Sequence, residues 1–116
     1  MAFTLTWSPE GRAQYDEIKR AAIKAQATRR QTKKTKSSRQ EGLFKQVQKA
    51  LTHLAANPRH PSLKTHKYSS IADPSGKKRD LFEAYAQNDA PGAYRIFWHY
   101  GPAKNVISVV AITPHP

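Results

Sequence analysis

The 116-residue chain contains no cysteine. That absence removes disulfide scaffolds, thiolate metal sites and cysteine nucleophiles together, and it is compatible with a reducing cytoplasm. No apolar run approaches the roughly 18 residues a membrane helix needs, and the N-terminus lacks the charged-then-apolar order of a signal peptide. A soluble cytoplasmic protein without a membrane partner is expected. Acidic residues are scarce as well: eight Asp and Glu face twenty Lys and Arg, a formal charge of +12. A field of that size attracts polyanions, whether nucleic acid, anionic membrane or an acidic protein. The membrane is the weakest of these, because no helix has the Trp, Phe or Leu face of an interfacial anchor. Glycine-rich phosphate loops and Gly-x-Ser-x-Gly elbows are missing, and the five histidines show no zinc-type spacing. Nucleotide hydrolysis, serine hydrolase chemistry, a metal site and a small-molecule cofactor therefore have no support.

What is present is organised around Tyr94-Arg95-Ile96-Phe97-Trp98-His99-Tyr100. Aromatic and β-branched residues suit a pleated, half-buried surface, and a second such run, Val106 to Ile112, follows after Gly101-Pro102-Ala103-Lys104-Asn105. The pair reads as a β-hairpin. Alternation puts Arg95, Phe97 and His99 on one face and Tyr94, Ile96, Trp98 and Tyr100 on the other. Arg95 interrupts a hydrophobic pattern, and a guanidinium is rarely buried without a partner. An anion is expected beside it, either a carboxylate of the fold or a ligand.

Upstream, Phe3 to Trp7 alternates as a half-buried strand. Ser8-Pro9 is a helix start, with a side-chain N-cap, a ring that pre-sets φ, and Glu10 at the positive end of the dipole. A first helix runs from Pro9 into the twenties with a narrow stripe of Ala13 or Gln14, Tyr15, Ile18, Ala22 and Ala25. Between Arg29 and Arg39 there is no apolar residue and there are six positive charges, so this segment adds nothing to a core. It is a solvated helical extension or link at 29–40, and blocks of like charge often act as interaction arms. From Glu41, apolar residues Leu43, Phe44, Val47, Ala50, Leu51, Leu54 and Ala55 recur at helical spacing, and Asn57-Pro58 ends that helix. The stretch from Arg59 to Arg79, with Pro61, Pro74 and Gly76, reads as a long loop that Leu63, Tyr68 and Ile71 pin to the core. Leu81 to Ala86 is a short strand.

The order is thus an N-terminal strand, an antiparallel helical hairpin and a three-strand antiparallel meander: a single α+β domain over 1–116 with one mostly antiparallel sheet. That order resembles the RelE/ParE superfamily of toxin–antitoxin toxins. So do the Asn57-Pro58 helix end, Lys64-Thr65-His66-Lys67-Tyr68, the strand Leu81 to Tyr85, the Tyr94-Arg95-Ile96 core and the final Ile112-Thr113-Pro114-His115. The likeness spans nearly the whole chain apart from 29–39.

The resemblance implies a ribosome-associated mRNA endonuclease that needs no metal and inhibits translation, with an acidic antitoxin as its protein partner. RNA supplies its own nucleophile, the 2′-hydroxyl, so the protein provides a base, an acid and cations for the charge on the phosphoryl oxygens. Arg95 matches the strand arginine that holds the scissile phosphate, where a bidentate fork fits. His115 matches an end-of-sheet proton-transfer position. Lys64, His66 and Lys67, with Arg59, resemble the basic RNA-contacting loop. Two departures stand out. Relatives that act on the ribosome carry lysines where this chain has Glu83 and Tyr85. Glu83 is a general base, a structural partner of Arg95, or a sign that nuclease activity is absent. The late tyrosine of some relatives is also missing, and Tyr85, Tyr94 and Tyr100 are the residues able to replace it, with Tyr85 counted among the RNA contacts. Two other functions fit the same resemblance: a ParE-type DNA gyrase inhibitor that acts by protein binding, and a non-catalytic RNA-binding relative.

Overall fold

A computed structural model describes residues 2–33, 36, 38–72, 78–87 and 92–114, with the side chains of 69–72 outside the description. The elements are β1 (Thr4–Trp7), α1 (Pro9–Gln31), α2 (Arg39–Ala56), a short 3₁₀ turn (Pro61–Leu63), β2 (His66–Ala72), β3 (Lys78–Tyr85), β4 (Tyr94–Tyr100) and β5 (Val106–Pro114). The sheet order is β1-β5-β4-β3-β2, with β1 parallel to β5 and the other pairings antiparallel. Two helices on a mostly antiparallel sheet is the expected α+β layering. One difference lies at 59–79, where the sequence reads as loop: β2 forms there as the edge strand. An edge strand has one hydrogen-bonded neighbour, so the polar run His66-Lys67-Tyr68-Ser69-Ser70 can serve without a hydrophobic alternation. Leu63 does anchor the segment, at 1% exposure, whereas Tyr68 is 48% exposed. The Ile71 side chain is outside the described residues.

β4 sits between β5 and β3, and its two faces go to different uses. Ile96 and Trp98 face the helices and join Ile18, Val47, Leu51, Leu54, Leu63, Ile107, Val109 and Ile112 in the core. Burying a side chain of this size contributes about 1.5–3 kcal/mol, and Trp98 and Leu54 are fully buried. The helical stripes are as expected at Ile18, Ala22, Val47, Ala50, Leu51 and Leu54.

The alternation of β5 breaks in the middle. Trp98 pairs with Val109 and Phe97 with Ala111, so Val110 is an extra residue. That bulge is what lets Ile107, Val109 and Ile112 all face inward, since the parity of the strand switches at Val110. The first turns of α1 satisfy the disturbed backbone: the Ser8 amide donates to Val109 O at 2.9 Å, Ser8 Oγ to Val110 O at 2.9 Å, and the Ile112 amide to Gln14 Oε1 at 2.7 Å. Gly11 is part of this contact, because a Cβ there would lie 2.7 Å from Val109 O.

The outer ends of the helices are joined by their caps. Ser38 and Glu41 form a reciprocal capping box. Arg29 donates to both Glu41 oxygens, from Nε at 3.0 Å and 3.2 Å and from Nη2 at 2.9 Å. This fork and the Ser38 amide hold the Glu41 carboxyl down at about 2, well below its ordinary 4.5. Among the described residues no helix is long and apolar enough to cross a membrane.

Candidate nucleic-acid interface

The face of β4 that turns away from the helices carries Arg95 and Phe97, and the register sets what stands beside them. Tyr85 pairs with Arg95, Glu83 with Phe97, and His66 with Glu83. Arg95 and Glu83 are 0% and 1% exposed. The Arg95 guanidinium lies 3.6 Å from the Tyr85 ring centroid, its Nε is 3.9 Å from Glu83 Oε1, and its Nη1 donates to Tyr94 O at 3.1 Å. At 3.9 Å the carboxylate contact is a charge pairing and not a hydrogen bond. Where Arg95 sits it is buried, and among the described residues Glu83 is the carboxylate beside it.

Glu83 has its close partner on the other side. His66 Nε2 is 3.0 Å from Glu83 Oε1, and His66 Nδ1 is 3.0 Å from Lys64 O. Lys64 O can only accept, so Nδ1 is the donor there, and the proton between Nε2 and Glu83 is shared by the two side chains. The His66 side chain is 49% exposed while that of Glu83 is 2% exposed, so the histidine connects a sealed carboxylate to solvent. Glu83 Oε2 has no hydrogen-bond partner among the described residues.

His66 opens into a concavity of about 500 Å³ lined by Arg59, His60, Lys64, Lys67, Phe82 and Tyr100 among others. Four of the five expected RNA contacts, Arg59, Lys64, His66 and Lys67, thus share one surface. Lys67 also pairs with Asp80 at 3.2 Å across exposed surface. Tyr85 is the fifth and is not in that lining. It instead carries cations, with Lys64 Nζ 5.5 Å and the Arg95 guanidinium 3.6 Å from its centroid. Lys64 holds its place at the end of the 3₁₀ turn through a left-handed backbone, φ 47°. Behind the rim, His53 and His60 stack with centroids 3.9 Å apart. Burial of His53, then the neighbouring His60 and Lys49, push its pKa below the ordinary 6.5.

The structure therefore brings together Glu83, Arg95, His66 and the basic rim, with Tyr85 beside them. His115 lies outside the described residues. Tyr100, one of the tyrosines the sequence offers for the RNA, is in the lining, whereas Phe82 and His60 and the His66–Glu83 contact are not legible in the sequence, because the polar β2 carries no strand signal and its register with β3 is tertiary. Among the described residues no group of three His, Asp or Glu could hold a metal ion.

No protein-family model and no curated protein matches the chain. Solved structures do. A YoeB/ParE toxin from Agrobacterium tumefaciens superposes with a TM-score of 0.60 at 8% identity, covering 97% of this chain and 99% of that one. The YoeB dimer from Staphylococcus aureus gives 0.59 at 12% identity with both chains covered in full. An archaeal RelE–RelB complex from Pyrococcus horikoshii gives 0.52 at 13%, covering 98% and 96%. The chain has the RelE/ParE toxin fold.

Proposed function

We propose that this chain is the toxin of a toxin–antitoxin pair, a cytoplasmic endoribonuclease that cuts mRNA on the ribosome without a metal. The observation that supports it is the route from the buried Arg95–Glu83 pair through His66 into a basic concavity. In this reading Arg59, Lys64 and Lys67 meet the phosphates of the RNA. The 2′-hydroxyl gives its proton to a solvent water as it attacks the adjacent phosphorus, and the P–O5′ bond breaks, which leaves a 2′,3′-cyclic phosphate and, once O5′ is protonated, a 5′-hydroxyl. Doubly protonated His66 gives its Nδ1 proton to the leaving 5′ oxygen once the ring lets go of Lys64 O. Glu83 keeps Nε2 and so fixes the ring, as a buried carboxylate does for a catalytic imidazole elsewhere. Arg95 is then a positioning residue for Glu83, and Tyr85 packs the guanidinium. The partner is an acidic antitoxin that covers the cationic rim.

Purified protein added to programmed ribosomes tests this: fragments with a 5′-hydroxyl end are the expected product, and intact mRNA with arrested growth of the expressing cells contradicts it. One observation favours a second reading. Sealing of Arg95 removes the most direct phosphate ligand, as a gyrase inhibitor acting by protein contact would tolerate. Gyrase-linked DNA breaks with intact mRNA are its signature.

A further inference from the structure

The chain spends nine of its twenty Lys and Arg between Glu17 and Glu41, where no acidic residue occurs: Lys19, Arg20, Lys24, Arg29, Arg30, Lys33, Lys34, Lys36 and Arg39. The last buried residue of α1 is Ala22. The nine residues from Ile23 to Gln31 extend the helix by about 14 Å without adding to the core, in a molecule measuring 53 × 30 × 27 Å. A helix end that packs so little is costly to keep ordered, yet this one is fastened by the three-bond Arg29–Glu41 fork and by the Ser38–Glu41 capping box. Glu41 is thus consumed internally by Arg29, which among the described cations of this stretch is the one that is not fully exposed. Lys24, Arg30, Lys33 and Lys36 are exposed, and no ion pair engages them among the described residues.

Between the helices near this end lies a shallow groove of about 520 Å³ with a mostly apolar surface of small residues and side-chain stems, among them Ala21 and Ala25, and with the polar groups of Lys24, Thr28, Thr32, Lys36 and Gln40 also in its lining. The chemistry selects the occupant. Protein interfaces rely on buried aromatic or aliphatic anchors, and Ile23 is the sole large exposed hydrophobic on the helices among the described residues. A lipid surface needs the same apolar face. A phosphodiester backbone needs only spaced cations and hydroxyl or amide donors. We infer that the α1–α2 tip is a second nucleic-acid contact, an arm that docks on the phosphate backbone of double-stranded RNA away from the His66 concavity. The choice of RNA over DNA rests on the function proposed above; the phosphate contact does not.

The test is fluorescence anisotropy with a labelled 20-base-pair RNA duplex, titrated from low to moderate salt, on the full chain. The combined variant Lys24→Gln, Arg30→Gln, Lys33→Gln, Lys36→Gln keeps Arg29 and Glu41, so the clasp survives. Its affinity is expected to fall roughly tenfold or more, and the slope of log K against log salt to flatten by about 0.9 for each phosphate contact removed. Lys24→Gln and Lys36→Gln alone each take a share of that flattening, which keeps the test sound if the combined variant melts early. Wild-type slope and affinity within twofold in the folded variants overturn the arm. So does loss of all duplex binding in Lys64→Gln, Lys67→Gln, which would assign the binding to the concavity. Tighter binding of the matching DNA duplex overturns the RNA assignment. Failure of mRNA cleavage with arm-dependent duplex binding intact would sink the nuclease reading and leave the arm standing.

Discussion

The hairpin end and the sheet centre each set an arginine against a glutamate, and the two pairs are built differently. At the tip, Arg29 makes three hydrogen bonds of 2.9–3.2 Å to Glu41, whose side chain is 13% exposed and whose remaining needs are met by Ser38. In the sheet, Arg95 approaches Glu83 only to 3.9 Å, both are sealed, and Glu83 turns its good contact toward His66. Burying two charges costs several kcal/mol each, and only close geometry with further hydrogen bonds recovers it. The outer pair is shaped as a fastener. The inner one is shaped to present a carboxylate to a solvent-facing histidine, which is a poor way to gain stability and a good way to hold an imidazole.

The largest effect expected from breaking this contrast is at Arg95. Because the group is buried against Glu83, Arg95→Ala costs about 3–5 kcal/mol by stranding the carboxylate, measured by urea unfolding. Of the two partners the sequence leaves open for Arg95, a ligand would make this loss chiefly functional, whereas burial against Glu83 makes it structural as well. Glu83→Leu combined with Arg95→Met should recover most of the lost stability while remaining inactive in cleavage, since an apolar pair of similar volume removes both desolvated charges. If the double variant is no more stable than Arg95→Ala alone, the inner pair is a fastener too.

Next in size is acid. The folded-state pKa of Glu41 is depressed to about 2, so its contribution is fully present above the unfolded carboxylate value and is lost as pH falls from about 4.5 toward 2. Thermal melts of wild type should decline over that window, and Glu41→Gln should be less stable at neutral pH with a flatter acid decline. The smallest effect is at His53. Its folded-state pKa is lowered, so the folded state prefers the neutral ring and stability decreases as pH falls through 6.5 and below. His53→Phe should remove that decline while preserving the stack on His60, read from melts between pH 7.5 and 5.5.

Much of this molecule was legible because its strongest signals are local. Tyr94 to Tyr100 forms a strand at the bounds its composition suggests, and Ser8-Pro9 starts α1 with the expected cap. The pairing of Arg95 with Glu83, one of the open alternatives, is what the register produces. Other features rest on tertiary context. Val110 sits inside an unbroken apolar run, so nothing local marks it as a bulge; its cause is the docking of Ser8, Gly11 and Gln14. β2 is polar because it is an edge, and without it the seventeen-residue separation of His66 and Glu83 hides their contact. The helix start at Ser38 was readable as a Ser-x-x-Glu capping box, but the surrounding positive charge masked it.

In the proposed function His66 is the proton-carrying group that Glu83 and Arg95 hold in place. The most direct measurement is single-turnover cleavage of mRNA on programmed ribosomes by His66→Phe, a variant that keeps an aromatic ring at an exposed edge position and loses the hydrogen bond to Glu83, at a cost of about 1–3 kcal/mol. With folding of the variant at the assay temperature checked by its melting curve, the rate is predicted to fall by about 10²–10⁴. Cleavage within a few-fold of wild type by that folded variant would contradict the account.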